Sequence, residues 1–369
     1  MSDTIFTLEV LNAFHGDCLI LHYGTLEKPR ILLIDGGPSG TYDASLKPRL
    51  EELADARSRP LKLDHVMVSH LDDDHIAGIL QLVEGIEEGD DLCKANSFWF
   101  NTFDDAIKVA PPELAEASDE LGLGVSEAIT ASIEHASIGQ GQALRDAVTR
   151  IVAKQNGGQA ILFSKGEGIP LAIAGLDATL VSPDKKLLAD LAEKWIKSPK
   201  KKVDTAEYLD KSVFNLSSLV VLVRPKDMDD GPSILLTGDA RGDHIIEGLD
   251  GANLLEDGTG HFTVLKVPHH GSDRNLTLEF FETITADFYV ISGDGKHANP
   301  SEDVLSWIAQ TAPKTSQICL TYAKNPRYKG YGPSVEKVMD MYPHLQEQLV
   351  VRDPDDLLIR IDLMEPLAD

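Results

Sequence analysis

Val66-Met67-Val68-Ser69-His70-Leu71-Asp72-Asp73-Asp74-His75-Ile76-Ala77-Gly78 is the stretch on which the reading of this chain turns. Its opening residues, Val66 to Val68, suit a buried strand, and the strand runs straight into two histidines and three aspartates before the small residues Ala77 and Gly78 continue a helix start. Acids and imidazoles this crowded repel or stay unpaired inside a fold, whereas divalent cations neutralise them and use their lone pairs. The plain alternative is a solvated acidic loop in which Asp74 caps a helix.

Upstream, Ile5 to Leu11 and Asp17 to Tyr23 read as strands joined through the turn His15-Gly16-Asp17, and Ile31 to Ile34 is a third strand that ends in Asp35-Gly36-Gly37. Tyr42 to Arg57 has helical spacing. Strand, helix and strand therefore alternate up to Gly78, which predicts α/β architecture. Downstream, Glu84 to Asp91 reads as a solvated acidic turn. The alanine-rich segment from there to Gly158 reads as an inserted helical lobe, with Gly139 to Leu144 as a turn entering a helix.

Further apolar strands again end in polar residues. Ile234-Leu235-Leu236 leads to Asp239, Val264 to Val267 leads to His269 and His270, and Phe288 to Ile291 leads to His297, Asn299 and Pro300. Adjacent histidines on extended backbone point to opposite sides, so at most one of His269 and His270 is expected to reach the same metal. Strands ending at Asp35, His70, Asp239, His269 and Asn299 would gather their polar residues along one edge, where function sits in sheet proteins.

Composition narrows the function classes. With 42% hydrophobic and 25% charged residues the 369-residue chain can bury a sizeable core. A net charge of −26 argues against a general nucleic-acid surface. The lysines Lys194, Lys197, Lys200, Lys201 and Lys202 are the local exception, read as a solvated helix face or a phosphate-attracting rim. The three cysteines form no CxxC pair, and there is no leader-like N-terminus or membrane-length apolar run. The expectation is a cytoplasmic protein that does not enter a membrane.

The spacing H-x-D-x-D-H at His70, Asp72, Asp74 and His75 resembles the H-x-H-x-D-H signature of the metallo-β-lactamase superfamily, with Asp72 where a histidine usually stands. This form is similar to that in the hydrolase domain of ComEC-type DNA-uptake proteins and their stand-alone relatives. N-x-x-S-L-V from Asn215 and L-K-x-x-H-H-G-S from Leu265 resemble the same group. The resemblance runs from about Ile5 to Thr311.

The resemblance implies an α/β four-layer fold, an αβ/βα sandwich forming a single domain over residues 1–369. A helical insertion is placed at about 84–158 and a lysine-rich one at about 184–211. It also implies a binuclear metallohydrolase. His70, Asp72, Asp74, His75, Asp239 and one of His269 or His270 would hold two divalent cations, with Asp239 bridging them. Asp35, Asn215 and Lys266 would support the site or touch substrate, and Asp74, His297 and Asn299 are the catalytic candidates. A third metal histidine that many relatives carry is missing near Ser182. The oxygen-rich ligand set brings manganese, magnesium and iron into consideration beside zinc. The metals would lower the pKa of bound water from about 15.7 towards about 7. A small or short phosphodiester is the expected substrate, with nucleic acid disfavoured by charge. The competing readings are a lactone or lactam hydrolase, and a catalytically silent scaffold for a partner protein.

Overall fold

The N-terminal strands β1 (Thr4–Leu11), β2 (Leu19–Thr25) and β3 (Lys28–Ile34) form an antiparallel meander in which Leu8 pairs with Leu21, and Leu21 with Leu32. The computed structural model describes residues 3–102, 105, 133–159, 162–189, 215, 217–321, 324–325, 330–331 and 333–364. A short parallel pair, β4 (Leu61–Leu63) and β6 (Cys93–Ala95), flanks the meander. Beyond β3 the first sheet continues in parallel through β5 (His65–Met67), β7 (Ser97–Trp99) and β8 (Lys154–Gln155).

The second sheet is built from β9 (Ile169–Leu171), β10 (Leu176–Ser182), β11 (Val220–Pro225), β12 (Ile234–Leu236), β13 (Gly260–Lys266), β14 (Ile284–Ile291) and β15 (Gln317–Leu320). A small hairpin, β16 (Lys324–Asn325) and β17 (Gly330–Tyr331), stands apart. β18 (Leu349–Val351) closes the second sheet and β19 (Leu358–Asp362) closes the first, so the chain's last two strands edge one sheet each. The orders are β19-β1-β2-β3-β5-β7-β8 and β18-β15-β14-β13-β12-β11-β10-β9.

Period-two alternation sorts the side chains into layers. Phe6, Leu8 and Val10 of β1 face inward, into one apolar cluster with Leu180, Val221, Val223, Val264 and Val290 of the second sheet. On the outer side of the first sheet, Ile20, Ile31 and Leu33 pack with the helices α1 (Lys47–Ala56), α2 (Asp73–Glu88) and α3 (Ile133–Arg150). On the outer side of the second, Leu235, Leu265 and Tyr289 pack with α4 (Gly242–Gly251), α5 (Leu278–Thr283) and α6 (Glu302–Thr311). Each fully buried Leu, Ile or Phe contributes about 1.5–3 kcal/mol, which is why the two sheets hold face to face. The result is helix, sheet, sheet, helix: the αβ/βα sandwich of metallo-β-lactamase type.

Three local expectations are corrected. α2 continues through the supposed acidic turn to Glu88, because Leu82 and Val83 are buried while Glu84, Glu87 and Glu88 lie on the exposed face, and the left-handed Gly89 ends it. Gly139 to Leu144 lies inside α3 rather than at a turn. There Gly141 allows close packing on Leu71, since a Cβ would come within 2.6 Å of its Cδ1. The segment 84–158 is not simply a helical insertion either, because β7 and β8 belong to the first sheet and α3 leads from one side of that sheet into β8. Residues 106–132 of it, and the lysines Lys194 to Lys202, lie outside the described residues. No helix among the described residues is long and apolar enough to cross a membrane.

Candidate metal centre

Strand ends from both sheets converge on one spot. The loop after β1 brings Asp17 and β3 ends at Asp35. The loop from β5 into α2 brings Ser69, His70, Asp72, Asp74 and His75. From the other sheet, β12 leads to Asp239 and β13 to Lys266, His269 and His270. Asp72 is the extended residue before α2, with φ −67° and ψ 146°, so Asp74 and His75 lie in the first helical turn.

Glycines set how tightly these loops interlock. A Cβ on Gly78 would sit 2.0 Å from the Gly36 carbonyl oxygen, and one on Gly16 would sit 1.9 Å from that of Asp74. Only glycine permits backbones to pass so closely. The crossing is sealed by Gly36 N–H donating to His75 O at 2.8 Å and Gly78 N–H donating to Gly37 O at 3.1 Å.

Hydrogen bonds then orient the imidazoles. Asp35 accepts from Ser69 N–H and Ser69 Oγ–H, both at 2.7 Å, and from His75 Nδ1 at 2.9 Å. Because the Ser69 hydroxyl hydrogen goes to Asp35, its oxygen is left to accept from His70 Nδ1 at 3.1 Å. His270 Nδ1 donates to Ser292 O at 3.1 Å. All three rings thus carry a proton on Nδ1 and turn Nε2 inward, the orientation that metal-ligating histidines use.

Those three Nε2 atoms, together with Asp239 Oδ1, are buried and have no hydrogen-bond partner among the described residues. The two oxygens of Asp239 face different rings. Oδ1 lies 3.3 Å from His75 Nε2 and 3.6 Å from His270 Nε2, while Oδ2 lies 3.9 Å from His70 Nε2 and 3.6 Å from His269 Nε2. Asp74 reaches His75 at 4.0 Å and His270 at 3.7 Å, and Asp72 reaches His70 at 3.7 Å. His70, Asp74 and His75 form one set whose ligand atoms all lie within 4.8 Å of one another, and His75, Asp239 and His270 form another.

The electrostatics call for added positive charge. Burial by itself would lower the pKa of His75 and His270. Asp239 and Asp35 nevertheless drive His75 well above the usual histidine range, and Asp239, Asp17 and Asp74 push His270 up to about 10. Asp239 is held well below the carboxylate range against its own burial by His270, His269 and His75. A divalent cation meets this demand and displaces the protons. Buried nitrogens without hydrogen-bond partners, an unpaired carboxylate oxygen and the demand for positive charge all fit a metal centre. A third set, Asp17, Asp35 and His75, is closed instead by the ammonium of Lys266, which lies 2.6 Å from Asp17 Oδ2.

The adjacent histidines depart from the extended backbone assumed for them. His269 and His270 both adopt left-handed φ, +50° and +53°, within a 3-10 turn, and both rings therefore face Asp239. Their tautomers differ. The Asn215 amide donates to His269 Nδ1 at 3.3 Å, leaving the Nε2–H of His269 to face Asp239.

Lys266 is fully buried as a counter-ion. Asn299 donates to His269 O at 3.4 Å and so braces the loop from outside the imidazole cluster. His297 is exposed, its ring 6.2 Å from that of His15. Asp17 and Ser69 were not anticipated as site residues. The signal for Asp17 was the His15-Gly16-Asp17 turn, where glycine beside an acid marks a close backbone approach.

Fold and cluster together define a metallo-β-lactamase-type sandwich with histidines and aspartates at its strand ends that could hold metal. The sequence agrees over the part that carries His70 to His75: residues 29–144 match the family model described as the metallo-beta-lactamase superfamily. Among solved structures, the metallo-beta-lactamase fold protein YhfI from Bacillus subtilis is similar over 97% of this chain and 99% of its own, at 11% identity and a TM-score of 0.43. An isothiocyanate hydrolase from Delia radicum gut bacteria is similar over 96% of this chain and 98% of its own, at 11% identity and a TM-score of 0.39. Likeness of that degree says nothing of substrate. No curated protein matches the chain.

Proposed function

We propose that this chain is a binuclear metal-dependent hydrolase that cleaves a small or short phosphodiester. The observation that carries the hydrolase reading is the inward convergence of three buried Nε2 atoms without hydrogen-bond partners on the carboxylates of Asp74 and Asp239. His70, Asp72, Asp74, His75, Asp239 and His270 would hold the two cations, and Asp239 would be shared between them, a role supported by its two oxygens facing different imidazoles. Divalent cations bound there would supply Lewis acidity and a water acidified enough to act as nucleophile near neutral pH.

The chain's own groups divide the remaining work. Asp35, Ser69 and Ser292 fix the ring tautomers. Asp17 and Lys266 back His270, whose Nδ1 lies 3.4 Å from Asp17 Oδ1. His269 presents an N–H beside the cluster, suited to an anionic substrate oxygen. The phosphodiester reading is supported by the oxygen-rich ligand set, which suits hard cations and a phosphoryl group whose two non-bridging oxygens can span them.

The test has two parts. Elemental analysis after gentle purification, with manganese or zinc supplementation, is expected to give about two metals per chain, as two-metal sites hold. A panel of bis-p-nitrophenyl phosphate, cyclic nucleotides, short oligonucleotides, a lactone and nitrocefin then reads the substrate. Turnover of lactone or nitrocefin with no phosphodiester cleaved overturns the substrate class. Less than one metal per chain with no turnover overturns the hydrolase in favour of a scaffold.

A further inference from the structure

Two loops that the ligand set does not use meet at the rim of the cluster. The loop between β1 and β2 carries His15 next to Asp17 and presses on α2, with Asp17 N–H donating to Asp74 O at 3.2 Å. The loop after β14 carries Lys296 and His297. Ser292 Oγ donates to Gly16 O at 2.6 Å and ties the loops together, and above that tie Lys296 Nζ meets His15 Nε2 at 3.1 Å.

An ammonium has no lone pair, so Lys296 donates and His15 accepts, which leaves His15 with an N–H on Nδ1. The backbone N–H of Lys296 is fixed by Asp294 Oδ1 at 2.8 Å, so a carboxylate stands in the same turn as the ammonium. His297 and Ala298 both adopt left-handed φ, +62° and +61°, an unfavourable conformation for residues with a Cβ and one that marks functional loops. In a chain of net charge −26, this places one exposed ammonium, with Asp294 in the same turn, beside an acidic centre.

We propose that Lys296, with His15 and His297, forms an anion subsite that takes a second phosphate of the substrate, next to the diester that is cleaved. The inference rests on the phosphodiester reading and narrows it. The substrate class becomes a short nucleotide diester with a neighbouring phosphate, rather than a diester with neutral or cationic arms. A lysine suits this task because it is a compact point charge that holds phosphate without demanding bidentate geometry.

The test compares the dinucleotide ApA with its 5′-phosphorylated form, using manganese-loaded protein. The wild type is expected to show a KM about fivefold to tenfold lower for the phosphorylated form, the scale of one charge-assisted contact near a surface. Lys296→Ala should abolish that preference and leave ApA cleavage unchanged, and Lys296→Arg should retain most of it. Circular dichroism checks that the variants are folded. Cleavage of both dinucleotides with the same preference in wild type and Lys296→Ala overturns the subsite and leaves the hydrolase standing. If neither is cleaved, the phosphodiester reading fails by itself. The subsite is then decided by calorimetric titration of adenosine 5′-monophosphate: weaker binding to Lys296→Ala supports it, and equal binding overturns it.

Discussion

Replacing Lys266 with Met removes the ammonium while keeping most of the side-chain volume, which isolates the charge. Lys266 and Asp17 are each 1% exposed, their charged atoms 2.6 Å apart. Burial tends to raise the pKa of Asp17, but Lys266 first, then His270 and His75, hold it at about 2 against an ordinary 3.8. The sign follows from that depression. The carboxylate adds stability above pH 3.8 and loses it as pH falls towards 2, about 2 kcal/mol by linkage. Without Lys266 the buried carboxylate is uncompensated, and removing one partner of such a pair costs about 3–5 kcal/mol. The folded-state pKa of Asp17 then rises above 3.8, so Lys266→Met should recover stability between pH 7.5 and 4.5, a range over which the wild-type pair is unchanged because its own loss begins only below pH 3.8. Urea unfolding of the wild type, Lys266→Met, Asp17→Asn and the double variant, all chelated, at pH 7.5 and 4.5 measures this. The double variant should be more stable than Lys266→Met at pH 7.5. A Lys266→Met loss below about 1 kcal/mol at pH 7.5, the range of exposed pairs, would refute the account.

Glu9 offers a second pH test away from the centre. It is buried, yet His22 and Arg49 bring its pKa down to about 2 from an ordinary 4.5. Glu9→Gln should cost about 3 kcal/mol at neutral pH and flatten the loss of stability between pH 4.5 and 2, as read by chemical denaturation. Gly78→Ala forces a Cβ to 2.0 Å from the Gly36 carbonyl, where only backbone can yield. Thermal unfolding should report a loss of about 3 kcal/mol or more, together with lower metal content. His270→Ala should weaken metal binding at least about tenfold by calorimetry, as loss of a ligand or its orienting partner does, while His269→Ala should change it much less. Chelation should lower the melting temperature of the wild type, by about 2.7 kcal/mol of stability if metal was present at a hundredfold its Kd, and should leave that of Asp239→Ala unmoved.

What could be read from the chain was what lies close together in it. His70 to His75 follow an apolar strand at short range, and so do Asp35 and Asp239, so strand ends and acids were legible. The partnership of Asp17 with Lys266 was not, because a turn residue and a strand-end lysine become a pair only when β1 and β13 are brought together by the sandwich. The orientation of His269 and His270 is not legible in the chain, because two histidines after an apolar strand point to opposite sides only while the backbone stays extended. The chain turns left-handed there, and a 3-10 turn aims both rings the same way. The acidic end of α2 looked like a loop because charge drew attention from the buried Leu82 and Val83, whose helical phase was the better guide. Asn299, expected near the chemistry, donates to the backbone carbonyl of His269.

The convergence of ligands from both sheets has a consequence for how the molecule is made. The first half of the chain carries His70, Asp74 and His75, but Asp239 and His270 emerge only after the second sheet has begun. A ribosome-bound fragment that ends before β12 possesses an incomplete claw, with acids and imidazoles but without Asp239 and His270. Any ion lodged there would be held by one hand. On the proposed ligand set, retention of metal would be a property of the finished sandwich, and the metal content of a preparation would double as a census of molecules whose two halves have docked.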